Sequence, residues 1–177
     1  MTILEACLHA HHASALRGNC SHQAVVIAAF GSGDYFKAMA AGLLTLGGLH
    51  APLVQTYEFL EQFTEAEDVT QVLSQHRRVP GWGNGFVKDG PDPLWIALDA
   101  QLRVESPVWM AKIDRITEIL HEYGKKIHPN PSCYTAVTAL HLGIPQYAVG
   151  EMLIRGRLKA WTEEFGRIQK EAPCLIF

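Results

Sequence analysis

Apolar side chains recur along this chain at the three- and four-residue intervals of an α-helix rather than alternating as in a strand. Phe36, Met39, Ala40, Leu43 and Leu44 mark one such run. It follows the turn Gly31-Ser32-Gly33-Asp34, whose aspartate is placed to cap it, and it stops at Gly47-Gly48. Ala38, Ala41 and Gly42 fill its other face, so this helix is expected to lie buried between neighbouring helices or subunits. Thr64 with Glu67 predicts a capping box opening a helix through Val69, Val72 and Leu73. Asp92-Pro93 and Ser106-Pro107 each combine a cap with a proline start. The first leads Trp95, Leu98 and Leu102, the second Ile113, Ile116 and Leu120 to a stop at Gly124. Ser132 is expected to cap a helix carrying Val137 and Leu140 as far as Gly143, and Tyr147, Leu153, Trp161, Phe165 and Ile168 predict a long terminal helix. A short piece near Cys174-Leu175-Ile176 is the one strand candidate. The expected fold class is all-α.

The composition is that of a globular domain, with a net charge of -3 that offers nucleic acid no general basic field. Arg77-Arg78 and Lys125-Lys126 are too short to form a binding stripe and read as charged helix ends. No apolar run reaches the ~20 residues needed to cross a bilayer, so a soluble protein is expected. Cys7, Cys20, Cys133 and Cys174 are scattered without a C-x-x-C pair, and no signal peptide is recognised, which predicts reduced thiols in a cytoplasmic setting.

Three features compete for the chemistry. Leu46-Gly47-Gly48-Leu49-His50 delivers a histidine through glycines that allow close backbone approach, and makes His50 the first candidate for a reactive group. Gly81-Trp82-Gly83-Asn84-Gly85, followed by Lys88, could cradle phosphates with backbone N–H groups, although a plain glycine turn reads equally well. His9, His11 and His12, with His22 beyond, have the residue type for a transition metal but no carboxylate or cysteine at ligand spacing. A solvated N-terminal segment without metal is therefore expected. Two irregular stretches interrupt the helices: Val79 to Pro91, and His128-Pro129-Asn130-Pro131. Long loops of this kind often carry function.

Taken in order, these segments resemble the C-terminal part of the citrate synthase family, including its citryl-CoA lyase relatives, from about Asn19 to the end. The run from Gly33-Asp34-Tyr35-Phe36 to Leu46-Gly47-Gly48-Leu49-His50 is similar to the family's small-residue helix ending in G-x-L-H-G-G. Pro80-Gly81-Trp82-Gly83-Asn84 to Asp92-Pro93 is similar to its G-[FW]-G-H-R…D-P-R loop. Pro129-Asn130-Pro131-Ser132-Cys133-Tyr134 resembles P-N-V-D-x-Y, followed by Leu142-Gly143-Ile144-Pro145 for L-G-I-P. Arg157 with Trp161 resembles A-R-x-x-G-W.

The resemblance implies a citrate-synthase-like helical bundle, truncated at its N-terminus, with a small helical subdomain inserted. Residues 1–50 and 134–177 would form the large-domain-like part and 51–133 the small-domain-like part. It implies chemistry beside the carbonyl of a CoA thioester, with no tightly bound cofactor. The family's thioester-polarising histidine maps to His50, its second histidine to Asn84 and its aspartate base to Ser132. Arg157, Gly81, Gly83 and Lys88 would contact substrate. Asparagine polarises a carbonyl but transfers no proton, and serine is no base without an activating partner. Asp89 and Asp92 are the nearest carboxylates to Asn84 that could replace it. Ala51-Pro52 stands for the family's second glycine pair, Gly85 and Leu94 for two of its arginines, and Ala172-Pro173 for an Arg-Pro pair. The alternatives implied are a thioester lyase or hydrolase, and a non-catalytic subunit. The family's dimer helix resembles the run from Asp34 to Leu46, which predicts a homodimer or a complex with a chain that supplies the N-terminal helices.

Overall fold

The computed structural model describes residues 1–46, 51–63, 71, 78–87 and 90–171. Helices dominate them, and the one β-type pairing is an isolated bridge between Trp82 and Pro129. The expected capping box at Thr64, the Gly47-Gly48 stop and the piece at Cys174 lie outside the described residues. In chain order the helices are α1 (Ile3–Ser14), α2 (Cys20–Ser32), α3 (Tyr35–Leu44), α4 (Leu53–Gln62), α5 (Ile96–Glu105), α6 (Pro107–Glu122), α7 (Pro131–Leu142) and α8 (Val149–Glu171). None of the described helices is long and apolar enough to cross a membrane.

The chain divides into two compact units, Met1–Cys7 with Pro52–Gly150, and Leu8–Ala51 with Glu151–Phe177. In the first, Trp95 and Tyr134 stack nearly parallel, and around them Leu60, Leu98, Leu102, Ile113, Ile116 and Leu120 are buried. Those of α5 and α6 fall at helical intervals, as the apolar pattern requires. Asp92 accepts a hydrogen bond from Leu94 N and opens a 3-10 turn, Pro93–Trp95, that leads into α5. Pro107 begins α6 as expected, but the Ser106 side chain makes no cap bond. At the far end Gly124 adopts φ +76 and ends the run.

One cap was misassigned from sequence. Asn130, not Ser132, caps α7: its side chain accepts from Ser132 N and Cys133 N, which places Ser132 inside the first turn. Gly143, at φ +65, closes that helix as predicted.

A larger correction concerns the N-terminal residues. The histidine-rich start is no solvated segment but helix α1, with Ala10, His11, Ser14 and Ala15 buried. Thr2 and Glu5 open it as a reciprocal capping box (Thr2 N to Glu5 Oε2 2.7 Å, Glu5 N to Thr2 Oγ1 3.2 Å). Asn19 caps α2 and Asp34 caps α3.

On α3 Ala38, Met39 and Gly42 pack inward, while Phe36 is 81% exposed and Leu44 86% exposed. Close packing of Ala38 and Gly42 brings the helix too near its neighbours to admit large side chains at those positions. A Cβ on Gly42 would sit 2.6 Å from Val25 and 2.9 Å from Trp161. Gly42→Ala is therefore expected to destabilise the protein by about 1–3 kcal/mol through overpacking. Urea unfolding of the variant beside the wild type measures it.

Candidate functional site

The two irregular stretches singled out in the sequence meet in the first unit. Gly83 N donates to His128 O (2.9 Å) and Asn130 N donates to Gly81 O (2.9 Å). Asn130 Nδ2 adds a third bond, to Gly83 O (2.9 Å). Asn130 therefore spends its side-chain oxygen on the start of α7 and its amide nitrogen on the glycine loop. Trp82, between the two glycines, anchors the loop from below: its indole N–H donates to Thr117 Oγ1 (2.9 Å) and its ring meets Phe59 edge-on. Gly81 and Gly83 sit at φ +87 and +82, conformations that side-chain-bearing residues rarely adopt. At Gly81 a Cβ would also come within 2.6 Å of Thr56 Cγ2 and 3.3 Å of Cys133 Cβ.

Asn84 follows directly on this pairing. Its amide Nδ2 donates to Asp92 Oδ2 (2.8 Å) and its Oδ1 accepts from Phe86 N (2.9 Å), leaving one amide hydrogen for another acceptor. Asp92 is only 2% exposed and divides its oxygens between Asn84 and Leu94 N. Such a carboxylate is a structural clamp. Ser132 lies buried in the first turn of α7, its backbone N–H held by Asn130 Oδ1. Gly81, Gly83, Asn84 and Ser132 thus belong to one loop pair joined through Asn130. His50, Lys88 and Asp89 lie outside the described residues.

Arg157 belongs to the second unit. It is 6% exposed, and burial brings its guanidinium down to about 10, still charged at neutral pH. Its Nη1 donates to Ser21 Oγ (2.9 Å). Burial first, and the Arg157 charge second, hold His11 near 3, so its ring is neutral. Two of the other N-terminal histidines lie beside carboxylates, His12 at 3.0 Å from Glu163 and His22 at 3.6 Å from Glu164. Among the described residues no three His, Cys, Asp or Glu side chains gather to hold a metal. Burial pushes the Cys7 thiol up to about 12 and Cys133 well above its ordinary value, which suits core residues rather than nucleophiles.

Asn130 is the site residue that the sequence argument passed over. The signal was present, because Asn-Pro is the same cap-plus-proline pattern that marked Asp92-Pro93 and Ser106-Pro107.

The citrate synthase C-terminal domain model matches residues 2–165. The chain belongs to the citrate synthase family. The match begins ahead of Asn19 and takes in α1, which lies outside the stretch that carried the resemblance in sequence. The fold is also similar to citryl-CoA lyase from Hydrogenobacter thermophilus (TM-score 0.80, 22% identity), covering 93% of this chain and 67% of that one. Citrate synthase from Thermotoga maritima gives a TM-score of 0.76 at 24% identity, covering 93% of this chain and 48% of that one. ATP citrate lyase from Methanothrix soehngenii, solved with citrate and coenzyme A, gives 0.82 at 14% identity, covering 99% and 32%. This citrate-synthase-family chain therefore spans about two thirds, a half and a third of these three. No curated protein sequence matches it.

Two outcomes follow from the geometry. Asn130→Ala removes both the cap and the loop bridge and is expected to cost about 1–3 kcal/mol, read from the urea midpoint. The second concerns pH. A free histidine titrates near 6.5 and the folded His11 near 3. As pH falls through that window the unfolded chain takes up a proton that the folded chain refuses, so stability falls. A His11→Gln variant, compared by urea unfolding at pH 7 and pH 5, is expected to lose less stability on acidification than the wild type.

Proposed function

We propose that this citrate-synthase-family chain binds a CoA thioester and acts on the bonds beside its carbonyl. The observation that carries this reading is the joining of the Gly81–Gly83 loop to Asn130 and Ser132, because it unites two motif segments that are 47 residues apart. The Trp82 and Gly83 N–H groups are engaged by Val79 O and His128 O, and the other backbone N–H groups of such a loop can meet the anionic part of a CoA ligand. The lysine pair Lys125-Lys126, just ahead of His128 in the chain, adds positive charge nearby in sequence.

In this reading His50 donates a hydrogen bond to the thioester oxygen, and the second amide hydrogen of Asn84 orients a carbonyl of the substrate. The base is a residue other than Ser132 or Asp92, since the first does not ionise near neutral pH and the second is committed to Asn84 and Leu94 N. Cleavage of a C–C bond, or hydrolysis of the thioester, fits better than condensation with oxaloacetate. Neither needs the arginine clamp for a dicarboxylate that the motif positions Gly85, Leu94 and Ala172-Pro173 no longer provide. Residues 51–133 would act as the small-domain-like part, and residues 1–50 and 134–177 as the large-domain-like part.

A second reading, a non-catalytic subunit, is favoured by Ser132 in the place of the aspartate base. A homodimer through α2 and α3 fits either reading. These helices carry a single charged residue, Lys37, and expose Ile27, Phe30, Phe36 and Leu44. An apolar face of this kind is better covered by another subunit than by water.

His50→Ala separates the two functional readings. With acetyl-CoA or citryl-CoA as substrate, the enzyme reading predicts a 100- to 10,000-fold (order of magnitude) loss of thioester or C–C cleavage in the variant. Activity unchanged by the substitution contradicts the role given to His50, and no turnover by the wild type favours the subunit.

A further inference from the structure

Arg157 is held by a hydrogen-bond chain with one direction only. A guanidinium has donors and no acceptor, so Ser21 Oγ must accept from Arg157 Nη1 at 2.9 Å. The serine hydroxyl proton must then go elsewhere, and it goes to Asn19 Oδ1 at 2.6 Å. Asn19 Oδ1 also accepts from His22 N at 3.0 Å, and the same amide donates from Nδ2 to Ser14 O at 3.4 Å. That last bond fixes which end of the Asn19 amide faces Ser21. The bonds that link Ser14 O, Asn19, Ser21 and Arg157 Nη1 agree in direction, and Asn19, Ser21 and Arg157 are all buried.

The N-cap of α2 is therefore also the anchor of a cation on α8. An ordinary cap needs only Asn19 Oδ1 on His22 N. The extra link through Ser21 contributes nothing to ending the helix, and its effect falls on the direction of the guanidinium. His11, close enough for Arg157 to depress its titration, stays neutral at neutral pH and adds no competing positive charge.

We propose that Ser21, backed by Asn19, is a positioning residue: it aims the Arg157 guanidinium at a carboxylate of the acyl substrate. The inference rests on the reading of Arg157 as a substrate-binding residue. Its carboxylate specificity would then be set in the first turn of α2, by residues that do not touch substrate. In a buried setting the gain is large, because a misdirected guanidinium loses water without gaining the anion.

The test uses the full chain, with citrate and coenzyme A as separate probes in calorimetric titrations. Ser21→Ala is expected to weaken citrate binding about tenfold, the scale of one hydrogen bond to a charged group, while leaving coenzyme A binding unchanged. Ser21→Thr keeps the hydroxyl and is expected to restore citrate binding. Ser21→Cys fills the same space but accepts hydrogen bonds poorly, so it should behave as the alanine variant does even if alanine disturbs folding. Arg157→Gln is the reference. If Arg157→Gln weakens citrate and neither Ser21→Ala nor Ser21→Cys does, positioning by Ser21 is wrong and the role of Arg157 stands. If Arg157→Gln also leaves citrate binding unchanged, or the wild type binds no citrate, the reading of Arg157 falls and the inference falls with it. Equal losses of citrate and coenzyme A binding in the serine variants would mark a general structural role and overturn it too.

Discussion

One side chain joins the two halves of the candidate site. Asn130 caps α7 with its carbonyl oxygen and holds Gly83 O with its amide nitrogen, while its backbone N–H takes Gly81 O. The glycine loop has no regular secondary structure of its own, so its backbone groups need partners from elsewhere. The 128–130 segment supplies them. A helix start and a loop conformation are thereby made to depend on each other, and whatever α7 presents at its first turn is fixed relative to the loop. That dependence explains why two irregular segments far apart in sequence act as one structural unit.

The same economy recurs in the second unit with a different asparagine. Asn19 ends α2 and, through Ser21, holds Arg157. In both places a residue that caps a helix also holds a group from another part of the chain. Helix termini leave backbone donors unsatisfied, so polar side chains must collect there in any case. The buried His11 is a packed ring that stays neutral at neutral pH.

Much of the fold was legible from the sequence. The apolar spacing located α3, α5, α6, α7 and α8, because their apolar residues recur at helical intervals. Two things were not legible. In α1 the buried positions fall at helical spacing, but they include Ala10, His11 and Ser14, whose types do not declare themselves as core. On α3 Ala38, Met39 and Gly42 took the interior and left Phe36 and Leu44 outside, a choice made by the approach distance of Val25 and Trp161 rather than by hydrophobicity. The motif order singled out the glycine loop and the Pro129–Ser132 segment, and the two meet in the fold. It could not reveal that the cap belonged to Asn130, nor that Asp92 was already engaged by Asn84, because both facts depend on which side chains meet across the fold.

The central claim is that this loop pair forms a site for a CoA thioester. Calorimetric titration of the full chain with coenzyme A and acetyl-CoA tests it most directly. The account predicts saturable binding with a dissociation constant on the order of micromolar, about -8 kcal/mol. No heat up to millimolar ligand would contradict it, and would mean that the fold has outlived its nucleotide site.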